Sequence, residues 1–160
     1  MLEQLILYFV CKTKGHITKT QLVKFLYLAD LYSVKWTGQQ LTDLDWLYYL
    51  HGPWNQEIDA ALEQMDVLSV RQEQSTFLVG AKHESLYETT EFSFSEGLSL
   101  MLDNIRREWS GAGRENFNAL LSFVYETAPM LEARTQHQRE EKVHLDLQLE
   151  RKKLLAELGS

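Results

Sequence analysis

The stretch Ile17-Thr-Lys-Thr-Gln-Leu-Val-Lys-Phe-Leu-Tyr-Leu-Ala-Asp-Leu-Tyr-Ser-Val34 decides how this chain folds. Thr18 stands where a helix needs an N-cap acceptor, and Gln21, three residues on, completes a capping box. Ile17 and Leu22 flank that start as a hydrophobic staple. Leu22, Phe25, Leu26, Leu28, Ala29 and Tyr32 follow at spacings that bury one long helix, to about Val34, and Gly38 marks the turn after it. Lys24 and Asp30 are charges inside this apolar run. They are read as exposed, or paired with each other's neighbours, and are kept as candidate partner contacts.

Upstream, residues 2–13 carry Leu2, Leu5, Ile6, Tyr8, Phe9 and Val10, a nearly all-round apolar pattern that predicts the central helix, ended by Gly15. Downstream, Leu41–Leu50 is rich in aromatics and leaves strand and helix both open, until His51-Gly52-Pro53 breaks it. A short helix is predicted from Asn55 to Met65. Two strands, Val67–Arg71 and Thr76–Ala81, then flank a polar turn. Residues 82–92 carry no clear signal. Ser93, with Glu96 as its capping-box partner, predicts a helix reaching Gly111. Another spans Arg114 to Thr127 and must stop before Pro129. In the tail, Val143, Leu145, Leu147 and Leu149 alternate as a strand does, whereas Arg151–Leu158 is made of helix formers. The fold class expected is therefore α+β and predominantly helical, with four to five helices and a small β-hairpin or sheet. A winged-helix-like element is one option. One domain is expected over 1–149, with a helical tail over 150–160.

A chain of 160 residues, 44% apolar and 24% charged, suits one globular domain with a sizeable core. Cys11 is the single cysteine, which excludes an internal disulfide and a cysteine pair for zinc. The apolar run Leu5–Cys11 is too short to span a bilayer and no signal peptide is read, so a cytoplasmic location without membrane contact is expected. The net charge of −7 is unevenly spread: residues 131–160 are balanced, and residues 1–130 hold 17 acids against 10 bases.

Catalysis has no positive support. The five histidines, His16, His51, His83, His137 and His144, include no pair at ligand spacing, and His137 with Glu140 and Glu141 reads as a solvated face. Cys11, on an apolar helix, reads as an inert small hydrophobe. No nucleophile elbow, phosphate loop or dinucleotide fingerprint occurs. No enzyme, metal or cofactor is expected. Topology alone points to nucleic acid, because helix, helix, short helix and hairpin is the order of a winged helix. The candidate recognition helix, however, has Glu57, Asp59, Glu63 and Asp66 and no Lys or Arg, and its field would repel phosphate. A DNA-binding regulator is kept as the alternative.

Gln21-Leu-Val-Lys-Phe-Leu-Tyr-Leu-Ala-Asp30, then Gly38, Trp46-Leu-Tyr-Tyr-Leu-His-Gly-Pro-Trp54 and Glu57-Ile-Asp-Ala-Ala-Leu62 together resemble the Panacea (SocA-like) antitoxin family. Val124-Tyr-Glu-Thr-Ala-Pro129 and Leu145-Asp-Leu147 are similar to the family's C-terminal pieces, so the resemblance runs over about residues 18–149. The stretch between Pro129 and Leu145 is longer and more charged than the family pattern, and the chain after Leu149 looks added. The resemblance implies an antitoxin-like module, of a kind also found in phages, that neutralises a cognate protein toxin by direct binding or by delivering it to a protease. It implies a structural role for Tyr27, Trp46, Gly52, Pro53, Thr127 and Pro129. The candidate partner contacts are Lys24, Asp30, His51, Trp54, Leu147, Leu154 and Leu158. His51 and Trp54 flank a rigid turn, where aromatic hot spots form. Leu147, Leu154 and Leu158 belong to a terminal apolar stripe that packs on the body, pairs with a second copy as a homodimer, or grips a partner helix.

Overall fold

The computed structural model describes residues 1–160 apart from 51, 112, 137–141 and 160. In chain order the elements are α1 (Leu2–Lys12), α2 (Lys19–Thr37), β1 (Leu47–Tyr49), β2 (Gly52–Trp54), α3 (Gln56–Gln64), β3 (Leu68–Glu73), β4 (Thr76–Ala81), α4 (Leu86–Thr89), α5 (Glu96–Trp109), α6 (Arg114–Tyr125), α7 (Ala128–Gln136), β5 (Val143–His144) and α8 (Gln148–Leu158). The fold is α+β and predominantly helical. Its two small sheets are antiparallel: β2-β1-β5, and the hairpin β3-β4.

α2 forms as its sequence predicts. The Thr18 hydroxyl accepts from the Gln21 amide at 3.1 Å, and the Gln21 side chain accepts from the Thr18 amide at 3.0 Å. Gly38 ends the helix at φ +82°, a left-handed conformation that glycine adopts without a Cβ penalty. The expected central position of α1 is not what is found. Every residue from Gln21 to Leu31 is buried, and α2 is enclosed by α1, α5, α6, α8, β2 and β4, whereas α1 exposes Glu3, Gln4 and Lys12. Lys24, Tyr27 and Asp30 hid its burial, because each is satisfied by groups distant in the chain.

Other boundaries moved for physical reasons. The ambiguous segment 41–50 resolves into a loop and the short strand β1. Gly52-Pro53, which the sequence reads as part of a break, belongs with Trp54 to β2 and pairs with β1 in register Tyr48↔Pro53. Proline is tolerated there because β2 is a sheet edge. α5 is capped by Ser95, which accepts from the Leu98 amide at 3.2 Å, rather than by Ser93. Phe92 and Phe94 stack on each other at 5.7 Å and meet Tyr8 edge-on, which keeps residues 92–94 extended. After α6 the chain restarts as α7 with Pro129 in its first turn, the one helical position where a missing N–H costs nothing. That helix, and the one-turn α4 in the stretch left unread, take the total among the described residues past the four to five expected. The tail is a brief strand and then a helix. α8 packs on α2 and α7, with Arg151 donating to the Lys35 carbonyl at 3.1 Å and the Glu150 carboxylate accepting the Ala128 amide at 2.7 Å.

Candidate functional site

Lys24, Tyr27 and Asp30 recur every three residues and so lie along one face of α2. Each reaches a different part of the chain. Asp30 is fully buried, and its carboxylate accepts from the Leu41 amide (3.0 Å), the Thr42 amide (2.9 Å), the Thr42 hydroxyl and the Trp46 indole N–H (2.8 Å). Burial raises its carboxyl above the usual range, against the downward pull of those four donors. Tyr27 shares a 2.8 Å hydrogen bond between its hydroxyl and that of Thr127, and its ring meets Trp46 edge-on at 5.5 Å. Lys24 is only 4% exposed, and its ammonium donates to the Pro53 carbonyl at 3.3 Å. Burial draws that ammonium down to about 8. Gly52, at φ +122°, lies against it, and a Cβ there would stand 3.2 Å from Lys24 Nζ. The motif residues therefore form one buried assembly that ties the 41–46 loop, β2 and the α6–α7 junction to the central helix.

This placement corrects the reading of Lys24 and Asp30 as exposed: a partner reaches neither side chain without opening the fold. Leu147 is likewise buried. Trp54 is half-buried, packed beside Tyr49 at 5.5 Å, with the Lys142 ammonium 5.4 Å from its ring centroid. Leu154 is half-buried, and Leu158 is 71% exposed at the end of α8. His51 lies outside the described residues, as do His137, Glu140 and Glu141. Cys11 is buried, and burial pushes its thiol up, which suits an inert side chain. Among the described residues no cluster of three His, Cys, Asp or Glu is placed to hold a metal, and no helix is long and apolar enough to cross a membrane.

The surface carries a feature the sequence did not reveal. Trp36 at the end of α2 (64% exposed), Leu100 on α5 (60%) and Phe123 on α6 (38%) border a shallow concavity of about 430 Å³, with Tyr32 and Met101 also lining it. The Lys35 ammonium lies 5.6 Å from the Trp36 ring centroid. Scattered apolar side chains are ordinary on a surface, but an aromatic-bordered concavity drawn from three helices is a candidate contact site. One signal existed. Leu100 falls off the face of α5 that buries Leu102, Ile105 and Trp109, so its apolar character serves no core. Trp36 gave none, because its exposure depends on where α5 and α6 end up.

The family model for the antitoxin SocA-like Panacea domain matches residues 22–120, more than half of the chain. Those residues include the Lys24–Tyr27–Asp30 face, the Trp46 loop, the Gly52-Pro53 strand and two of the three concavity residues; Thr127, Pro129 and α8 lie beyond them. No curated protein and no solved structure matches the chain. With its motif residues joined in one assembly and its family model matched over most of the fold, the chain belongs to the SocA-like antitoxin family of Panacea domains.

Proposed function

We propose that this protein is an antitoxin-like binding module that holds a cognate protein toxin in an inactive complex. The observation that carries the reading is family membership over residues 22–120. The exposed concavity of Trp36, Leu100 and Phe123 adds a surface of the right chemistry for a protein partner. Aromatic side chains of this kind supply most of the binding energy of protein interfaces, roughly 2–4 kcal/mol each. Trp54, Leu154 and Leu158 are proposed as secondary contacts, being the members of the set named from the sequence that are not buried among the described residues. Neutralisation proceeds by direct binding or by presenting the toxin to a protease, in the cytoplasm and without a cofactor or catalytic step.

The test is co-expression with the product of the adjacent reading frame. Restored growth and a co-purifying complex are expected. Neither rescue nor complex, with the partner shown to be toxic alone, removes the reading. If rescue requires a host protease and fails in a protease-deficient strain while the complex persists, the delivery route is selected.

DNA binding through a winged-helix-like element finds little chemistry to work with. The helix that would enter the groove, α3, exposes Glu57 and Glu63, and its Asp59 is ion-paired with Lys19.

A further inference from the structure

The body is acidic, yet its cations are not scattered. Of the ten Lys and Arg in residues 1–130, four (Lys14, Lys19, Arg71 and Arg114) line two adjoining depressions that share His16 and Leu78. The larger is a groove of about 570 Å³ between the β3–β4 hairpin and the α5–α6 junction. Phe77, Leu78 and Phe117 give it an apolar lining, and Phe77 is 46% exposed there. The hairpin also offers main chain. Leu78 lies opposite Thr18, and the Val79 amide bonds the Ile17 carbonyl at 3.0 Å. Phe77, two residues earlier, turns its amide by antiparallel alternation to that same outer edge, beside the first residues of α2. Acidic groups bordering this region are few: Glu84 in the smaller depression, Asp59 paired with Lys19, and Glu73 paired with Arg71. Lys14, His16 and Arg114 have no ion-pair partner among the described residues.

We propose that this groove binds an extended acidic segment of a partner protein, with an apolar side chain seated between Phe77 and Phe117 and flanking carboxylates facing Arg114 and His16. Charge complementarity selects the occupant: a positive groove on a negative body attracts an acidic peptide and rejects a basic one. The apolar lining of Phe77, Leu78 and Phe117 asks for an aromatic or leucine side chain. Nucleic acid is disfavoured because the surrounding body is negative and repels a phosphate backbone. This proposal stands apart from the toxin reading, since the groove and the Trp36 concavity share no residue.

The experiment uses the full chain and a labelled acetyl-Glu-Phe-Glu-Leu-Glu-amide peptide, followed by fluorescence anisotropy. Its Gln-for-Glu counterpart and a short oligothymidylate serve as the other probes. The acidic peptide is expected to bind, with affinity falling about tenfold as salt rises from roughly 50 to 500 mM. The Gln counterpart should bind about tenfold more weakly, and Arg114→Glu and Phe77→Ser should each cost about as much, whereas Lys152→Glu on α8 should cost nothing. Absence of binding at millimolar peptide, equal affinity for the Gln peptide, or undiminished binding by Arg114→Glu overturns the proposal. So does tighter binding of the oligothymidylate. The peptide comparison and the salt series do not depend on any variant folding.

Discussion

Lys24 and Asp30 carry the main lesson at the scale of the residue. From sequence alone both read as exposed or paired with each other's neighbours, because sequence reading sees only local partners. The groups that satisfy Asp30 lie 11 to 16 residues away, and the carbonyl that receives Lys24 lies 29 away. Their energetics differ. Asp30 collects four donors, so Asp30→Ala strands two amides and an indole N–H in the interior and should cost about 3–5 kcal/mol, read as a lowered midpoint in urea. Lys24 has one neutral acceptor, and its charged form is strained by burial. Its pKa of about 8 when folded lies below the ordinary 10.5 of the unfolded chain, so the unfolded state binds more protons between those values, and stability rises with pH across that window. From about pH 7 to pH 9.5 the gain should be roughly 2 kcal/mol. Burial also raises the Tyr8, Tyr27, Tyr32 and Tyr125 phenols, so the gain reverses once unfolded-state tyrosines ionise at higher pH. Denaturant melts of Lys24→Met should be flatter with pH than wild type over this range. Equal slopes would refute the buried, unpaired ammonium.

At the scale of the element, legibility followed how local the determinants are. The capping box of α2, its glycine terminator, the α3 pattern and the β3–β4 hairpin are written within a few residues, and all were readable in advance. Thr18→Ala should therefore cost about 1 kcal/mol, measurable as a shift of the unfolding midpoint with unchanged slope. An unaltered midpoint would mean that the cap contributes nothing. Elements fixed by packing were misread. Two serines precede Glu96, and Ser95 caps the helix while Phe92 and Phe94, on either side of Ser93, pack against Tyr8 on α1. Pro53 looked like a break because nothing local says that β2 is an edge strand. The restart at α7 depends on Glu150, from α8, accepting the Ala128 amide. Glu150→Ala should loosen that end of the molecule, with faster amide hydrogen exchange at Ala128, Met130 and Leu131 and little change in α1. Uniform exchange across both helices would contradict the role given to Glu150.

For the whole molecule, the buried part of the motif that identifies the family is a construction device. It joins the central helix to the loop, strand and helix junction around it. What the fold then presents outward is a separate matter: an aromatic-bordered concavity from three helices and a positive groove on a negative body. Neither was legible, because each assembles side chains far apart in sequence whose only common property is to be left uncovered. The candidates named from the sequence divide accordingly: Lys24, Asp30 and Leu147 inside, Trp54 and Leu154 half-buried, and Leu158 outside. The most direct measurement is growth rescue of cells expressing the adjacent reading frame's toxic product, by wild type and by the double variant Trp36→Asp/Leu100→Asp. Both positions are exposed, so the variant should melt like wild type. The account predicts that wild type rescues and forms a complex, and that the variant does neither. Full rescue by the variant, or none by wild type, would contradict it.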